Sequence, residues 1–287
     1  MTDLVLGEDL GPRGRRRVAV ATTVSVAALV AAVAWAIDRF RDKGQLDADQ
    51  WRSIFTWSTA RFIGAGLRNT LTAALVAMAL ALLLGTFGAF GRLHPRRPVR
   101  AVSIVLIELF RATPLVLLIY FAGTAVPRYL FELSSYWYLV TALALYNGSV
   151  IAEVFRAGVL SLGAGQREAA FAIGLSHGQA MRLVLFPQAV RRMVPAVVNQ
   201  LVTLLKDSSL GALVLTPAFD DLLRRGRQVG EFNRNPLQAL LVTGVVYMVI
   251  NFALSSFARW LETRPARVQR ARAQVELELA RPTIEPI

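Results

Sequence analysis

The chain has 287 residues, of which 55% are hydrophobic and 18% are charged, and its formal net charge is +13. Soluble domains average about 45–50% apolar and about 25% charged residues, so the composition argues against a soluble domain and for a membrane protein. The absence of cysteine excludes disulfides, thiolate catalysis and cysteine-ligated metals or clusters.

Six stretches of the chain are long enough to cross a bilayer, whose ~30 Å apolar core takes about 20 helical residues. Three of these stretches carry no charge, at 18–37, 69–90 and 237–258. The other three contain ionisable residues, at 101–126, 137–155 and 194–215. We therefore predict an all-α membrane protein with six transmembrane helices.

The first stretch is preceded by four arginines, as a secretory signal peptide is preceded by basic residues. It is longer than the apolar part of a usual signal peptide, and charged Asp38 and Arg39 follow it directly. We therefore predict that it is a helix of the mature protein.

Lysine and arginine are divided unequally between the two sets of predicted loops. The N-terminal tail, the loops 92–100 and 156–192 and the C-terminal tail together hold 19, whereas the loops on the other side hold 10. Cytoplasmic loops are enriched in these residues, so both termini are predicted to be cytoplasmic. The basic charge is attributed to topology, and nucleic acid is not expected as a partner.

The outer loop 217–236 departs from this rule because it contains Arg224, Arg225, Arg227 and Arg234. Apolar residues at 219, 222, 223 and 229 give it the pattern of a short amphipathic helix on the membrane surface. A solvated amphipathic turn is favoured over a docking surface for an external partner, and both explanations stay open.

Small residues recur at every fourth position of the second stretch, at Ala73, Ala77, Ala81, Gly85 and Ala89. Helices in lipid associate through faces of this kind, where their backbones approach closely. The whole chain is rich in alanine, however, so the pattern alone leaves a packing face and a compositional accident equally open.

Ionisable side chains inside a span face protein or a water-filled cavity, because their burial in lipid is costly. With a rise of ~1.5 Å per residue, Glu108 and Glu153 are predicted in the inner leaflet. Four further polar residues are predicted near the midplane: Arg111, Asn147, Lys206 and Asp207. The set fits a path for a polar or zwitterionic substrate. It also fits salt bridges between helices, and structural pairing is favoured for any single residue.

Two predicted spans contain residues that interrupt a helix. Thr113 and Pro114 follow Arg111 closely, and proline removes a backbone hydrogen bond. The second interruption is Lys206-Asp207-Ser208-Ser209. Freed backbone groups are accepted in lipid where protein or a water-filled cavity satisfies them, and broken helices beside midplane charges are typical of a translocation path. Thr113 and Ser208 are therefore further candidates for the path.

The long inner loop 156–193 contains no spanning stretch, yet it differs from an ordinary linker. Good helix formers run from Gln166 to Ile173, and Gly174 is a natural helix stop. Apolar residues at 169, 170, 173, 181, 184 and 185 offer a face for another protein. These residues predict a short cytoplasmic pair of amphipathic helices, either a partner site or a lid over the bundle.

The same loop contains Glu168-Ala-Ala-x-x-x-Gly174, then nine residues, and then Val184-x-Phe186-Pro187. This pattern resembles the cytoplasmic signature of permease subunits of bacterial ATP-binding-cassette importers. The segments that begin at Glu108, Ile151 and Leu205 are similar to the subfamily that carries polar amino acids, namely histidine, arginine, glutamine and glutamate. The similarity covers residues 64–262, and the extended N-terminus resembles glutamate permeases of high-GC Gram-positive bacteria.

The resemblance implies a MetI-like core of five helices with one extra N-terminal helix. It divides the chain into a tail at 1–17, the extra helix and an external segment at 18–63, the importer transmembrane domain at 64–262, and a tail at 263–287. It also implies that six residues of the inner loop couple the chain to an ATPase: Gln166, Glu168, Ala169, Ala170, Gly174 and Pro187.

The implied complex lies in the bacterial cytoplasmic membrane. It contains a second permease subunit, identical or homologous, two ATPase subunits and an extracytoplasmic substrate-binding protein. The chain has no Gly-x-x-x-x-Gly-Lys-[Ser/Thr] loop, and its only lysines are Lys43 and Lys206. No cofactor is therefore expected in this chain, and ATP and Mg are expected at the partner ATPase.

The implied activity is ATP-driven import of a polar amino acid, with a lean towards glutamate. The alternative from the residues alone is a secondary transporter driven by an ion gradient. In that case Glu108, Glu153 and Asp207 would be relay carboxylates. The charges within the predicted spans cancel, so they do not choose between acidic and basic substrates.

Overall fold

The computed structural model of the chain describes residues 11–215 and 219–279, with side chains described up to residue 257 and at residue 260. All regular structure in these ranges is helical. The helices are α1 (Pro12–Asp42), α2 (Ala48–Arg52), α3 (Trp57–Arg92), α4 (Arg97–Ala112), α5 (Leu115–Tyr129), α6 (Ser135–Leu160), α7 (Ala164–Ala172), α8 (His177–Gln179), α9 (Phe186–Asp207), α10 (Leu210–Val214), α11 (Leu222–Asn233) and α12 (Pro236–Leu279). A π-helical segment, Ala180–Leu185, joins α8 to α9.

Four of the described helices are long and apolar enough to cross a membrane, namely α1, α3, α6 and the Pro236–Phe257 part of α12. Helices α4 and α5 are long and apolar enough only if the pair, which is bent by 96°, is counted as one broken span. These five correspond to five of the six predicted stretches. The sixth, 194–215, is not matched by one continuous helix, because α9 ends at Asp207 and only the five-residue α10 follows. The count of six is therefore not confirmed.

The terminal helices extend beyond the predicted apolar stretches. Pro12 is in the first turn of α1, where a backbone N–H has no partner within the helix, so proline costs no helical hydrogen bond there. No residue of α1 is buried, so packing within the described chain does not hold this helix. Helix α12 continues through the predicted tail to Leu279, and residues 1–10 and 280–287 of the two predicted tails lie outside the described residues.

The centre of the bundle is the contact between α3 and α6. The five small residues of the predicted stripe are all buried there: Ala73, Ala77, Ala81, Gly85 and Ala89. A Cβ atom on Gly85 would lie 2.6 Å from Cγ2 of Ile151 and 3.0 Å from the carbonyl oxygen of Gly148. The stripe is thus a packing face that lets the two backbones approach, and the compositional explanation is wrong.

The predicted span 101–126 is divided at Thr113 and Pro114 into two helices that point in different directions. Pro114 has no N–H to donate, and a residue before proline is driven out of the α region. Thr113 is accordingly extended, with φ −80° and ψ 128°, and the chain turns by 96° between α4 and α5. A depth estimated along a straight helix therefore does not apply to Arg111. Its guanidinium reaches the same glutamates as Arg92, the last residue of α3.

Helix α11 covers one end of the bundle, and this is the end that was predicted to face outwards. The loop 217–236 contains the predicted short helix, so the solvated turn is wrong. Leu222 and Val229 are buried in a cluster with Ile54, Ile63 and Ala239. The apolar side of α11 therefore packs on α3 and α12 and not on the membrane surface.

Buried polar side chains connect the segment between α1 and α3 to the end of α11 and the beginning of α12. The side-chain amide of Asn235 donates to the Gln50 carbonyl at 2.8 Å and to Oγ of Ser53 at 2.7 Å. The amide of Gln238 donates to the Gln45 carbonyl. The part of the predicted 18–63 region that follows α1 is thus anchored to Asn235, between α11 and α12, and to the first turn of α12.

Asp221 is a buried carboxylate at the start of α11. Its Oδ1 accepts from the backbone N–H of Arg224 at 2.8 Å and so caps the helix. Its Oδ2 is buried without a hydrogen-bond partner. Burial raises the pKa of Asp221 to about 7, although the backbone donors of Arg224 and Leu223 act in the opposite direction.

Candidate coupling and translocation site

Helix α7 stands in an arm, residues 161–193, that follows α6 and is called here the α7 arm. Its helix covers Ala164–Ala172, close to the predicted 166–173. Gly174 has φ +83°, a left-handed conformation that glycine adopts without strain. The Gly174 N–H binds the Phe171 carbonyl at 2.9 Å, and the Leu175 N–H binds the Ala170 carbonyl at 3.2 Å. These two bonds form a Schellman motif, and the helix stop predicted at Gly174 is confirmed.

The six predicted coupling residues lie on different sides of the α7 arm. Five of them are exposed: Gln166, Glu168, Ala169, Gly174 and Pro187. Ala170 is buried. The side-chain carbonyl of Gln166 accepts from Gln188 at 3.0 Å, which ties α7 to the beginning of α9.

The predicted apolar face of the arm is divided between the bundle and the surface. Met181 and Leu185 are buried in a cluster with Val159, below the end of α6. Ile173 is 76% exposed, Ala169 is also exposed, and Leu183, which was not part of the predicted face, is 67% exposed. The arm is therefore held to its own bundle by one set of apolar residues and presents another set outwards.

Five charged side chains meet where α3, α4 and α6 approach each other, and they are called here the inner charge cluster: Arg92, Glu108, Arg111, Glu153 and Arg156. Glu153 lies at its centre. Its carboxylate is 2.7 Å from Nη1 of Arg92, 3.0 Å from Nε of Arg156 and 3.7 Å from Nη1 of Arg111. Glu108 is 3.2 Å from Arg92 and 3.4 Å from Arg111.

The cluster joins three predicted pathway residues with two arginines that the prediction did not include. Arg92 and Arg156 were counted as charges of the inner loops 92–100 and 156–192 and were not candidate site residues. The signal for Arg92 was the short loop 93–96, which returns α4 beside the end of α3. Because every carboxylate in the cluster contacts an arginine, the geometry corresponds to the structural pairing that the sequence favoured.

A second polar contact joins α6 to α9 in the interior. Asn147 is fully buried, and its amide donates to the Leu143 carbonyl one turn earlier at 2.8 Å. Its Oδ1 accepts from Nε2 of Gln200 at 2.6 Å. Gln200 was not among the predicted site residues, since an amide in an amphipathic helix gives no sign of its partner.

The remaining predicted residues lie at helix ends. Thr113 ends α4 and donates from Oγ1 to the Leu109 carbonyl at 2.7 Å. Lys206 and Asp207 close α9, and buried Ser208 donates from Oγ to the Leu205 carbonyl at 2.8 Å. Within the side chains that the structure describes, Lys206 and Asp207 form no ion pair and do not join the inner charge cluster.

No group of three His, Asp or Glu side chains in the described part of the chain could hold a metal ion. The arrangement is instead that of a helical membrane bundle with an exposed arm at one end, broken helices, and polar groups at the breaks. These features are typical of membrane transport proteins.

The chain belongs to the family of binding-protein-dependent transport system inner membrane components, whose model matches residues 79–267. It is 41% identical over 238 residues to the glutamate transport system permease protein GluD of Corynebacterium glutamicum, covering 81% of this chain and 85% of that protein. It is 33% identical over 204 residues to the arginine transport system permease protein ArtQ of Bacillus subtilis, covering 71% and 92%.

A solved structure has the same fold. The crystal structure of an amino acid ABC transporter with histidines matches with a TM-score of 0.66 and 27% identity, over 72% of this chain and 95% of that one. The family and these relatives identify the chain as the permease subunit of an ABC transporter, a transport component of the inner membrane.

Proposed function

We propose that the chain carries a polar amino acid, with glutamate as the first candidate, inwards across the cytoplasmic membrane in an ATP-driven importer. The substrate is supported by the names of its relatives, which are permeases for glutamate, arginine and glutamine. The observation that carries the mechanism is the α7 arm, a short helix that ends at Gly174 and leaves Glu168 and Ile173 exposed for a partner.

The proposed complex contains two permease chains, alike or homologous, two ATPase subunits and an extracytoplasmic binding protein. ATP and Mg are bound by the ATPases, and this chain binds no cofactor. The excess of lysine and arginine in one set of loops supports an orientation with both termini and the α7 arm in the cytoplasm. Within this scheme, the domain division at 64–262 separates the importer core from the extra N-terminal helix.

The proposed mechanism is mechanical. Closure of the ATPase pair displaces α7, and the displacement rocks the helices that the inner charge cluster holds together. Residues at the breaks, Lys206, Asp207 and Ser208, line the path that opens, together with the Asn147 region of α6. Lys206 is exposed and has no ion-pair partner among the described side chains, so its ammonium is the group best placed to meet a substrate carboxylate.

The coupling role of the α7 arm is tested with two matched glycine variants. Gly174→Ala forces a side chain into a left-handed conformation, whereas Gly178→Ala places one in open space at an ordinary φ. The first is expected to reduce both ATPase association and uptake, and the second neither. A charge reversal, Glu168→Lys, should act like Gly174→Ala while insertion in the membrane is unchanged. Normal uptake by Gly174→Ala and Glu168→Lys would refute the coupling assignment.

The substrate is tested by uptake competition with a panel of amino acids in the reconstituted complex. Glutamate is expected to compete best. Lys206→Ala should abolish transport, and Lys43→Ala, which changes the only other lysine, should leave it intact. Undiminished flux in Lys206→Ala would remove that residue from the path without affecting the coupling assignment.

The paired carboxylates do not favour a secondary transporter. Of the three carboxylates named for a relay, Glu108 and Glu153 are held in ion pairs, each within 4 Å of two or more arginines, and only the third, Asp207, forms no ion pair among the described side chains. Uptake by the permease chains in vesicles without ATPase subunits, driven by an ion gradient, would overturn this choice.

A further inference from the structure

His177 connects the coupling helix to the end of α3. Its Nε2 lies 3.2 Å from the carbonyl oxygen of Leu93, and its ring stacks on Phe171 in the last turn of α7, with the ring centres 6.4 Å apart and the planes inclined by 28°. One side chain therefore contacts both the arm and the core of the bundle.

The bond to Leu93 has a physical reason. Leu93 caps the C-terminus of α3, and the last carbonyl groups of a helix have no partner within that helix. A ring nitrogen that carries a hydrogen satisfies such a carbonyl. A side chain from the arm thus satisfies a carbonyl at the end of α3, and this hydrogen bond links the end of α3 to the arm.

Leu93 stands directly beside the inner charge cluster. The preceding residue, Arg92, is 2.7 Å from Glu153 of α6 and 3.2 Å from Glu108 of α4. Glu108 is in the last turns of α4, just before the 96° bend. A continuous series of contacts thus leads from α7 through His177 and the end of α3 to the broken span.

We propose that His177 is a positioning residue that transmits the displacement of α7 to α3 and, through Arg92, to the α4–α5 bend. The proposal rests on the proposed coupling role of the α7 arm and adds the route inside this chain. A contact path counts as coupling only when a change along it alters the response of the distant site. The test must therefore measure coupling and not only stability.

The experiment uses the complete complex in proteoliposomes and measures the amino acid imported per ATP hydrolysed. His177→Ala is expected to lower this ratio by at least about fivefold, with ATPase association unchanged. His177→Gln, which keeps a side-chain N–H donor, should restore the ratio. His94→Ala is the matched control, because the hydrogen bond that His94 makes within the described part of the chain is local, accepted from the backbone N–H of Arg96 in its own loop.

A wild-type ratio in His177→Ala would overturn the proposal and leave the residue as a helix cap. Loss of ATPase association in that variant would also overturn it, since His177 would then be part of the docking surface. Should His177→Ala not accumulate in the membrane, Phe171→Leu removes the stacking contact and is expected to lower the ratio in the same direction. Failure of the coupling role itself would appear separately, as normal uptake by both Gly174→Ala and Glu168→Lys.

Discussion

Glu153 is the residue whose replacement tests most directly what the inner charge cluster does. Glu153→Gln keeps the shape of the side chain and removes its charge. Arg92 and Arg111 then share the carboxylate of Glu108, and Arg156 loses its ion pair with Glu153. Because like charges repel and an unpaired buried charge is costly, the ends of α3, α4 and α6 should separate more easily.

The size of the effect follows from how far the cluster is enclosed. The side chains of Glu153 and Arg92 are 17% and 13% exposed, whereas those of Glu108 and Arg111 are 44% and 39% exposed. Breaking a fully buried pair costs about 3–5 kcal/mol, and exposed pairs contribute about 0–1 kcal/mol. A loss of about 2–3 kcal/mol is expected for this partly enclosed pair.

The assay is thermal or denaturant unfolding of the purified complex, followed by tryptophan fluorescence. Arg92→Gln should destabilise to a similar extent, and the double variant should lose less than the sum, because the two residues share one interaction. Asp49→Asn is the control, since its pair with Arg52 is 92% and 81% exposed and should leave the unfolding midpoint unchanged. Unaltered stability of Glu153→Gln with a raised KM for the amino acid would refute structural pairing and make Glu153 a substrate contact.

Three further predictions concern other parts of the fold. Burial raises the pKa of Asp221 to about 7, above the ~3.9 of an unfolded chain, so the stability that protonated Asp221 contributes is complete below about pH 4 and is lost as the pH rises through 7. In Asp221→Asn, the unfolding midpoint should therefore change less between pH 5 and pH 8 than in the wild type, and an unchanged pH dependence would contradict this role of Asp221. Gly85→Val should destabilise by about 1–3 kcal/mol or more through overpacking, whereas Gly64→Val, which meets nothing within 4 Å, should not; equal midpoints would contradict the α3–α6 packing. Asn147→Leu should cost about 1–3 kcal/mol in unfolding because Gln200 loses its acceptor, and a neutral result would mean that Gln200 finds another partner.

Local chemistry made several features predictable from the sequence. The helix stop at Gly174 needs only a residue that accepts positive φ, and the break at Thr113 and Pro114 needs only a missing N–H. The apolar stretches within α1, α3, α6 and α12 follow from length and composition, because a bilayer sets both. The family signature around Glu168 is likewise a short run of adjacent residues, and the matched family and its relatives agree with it.

Tertiary structure decided which polar groups meet. The residue at which α4 ends was visible in the sequence, but the 96° bend that follows depends on how α4 and α5 pack on α3 and α6. Gln200 gave no signal of its partner, because Asn147 is 53 positions away. The short loop 93–96 places Arg92 near α4, but nothing in the sequence places it against Glu153, which is 61 positions away. Hydrophobic periodicity and turn chemistry act over a few residues, whereas the pairing of a charge or an amide depends on side chains that only the folded chain brings within 4 Å.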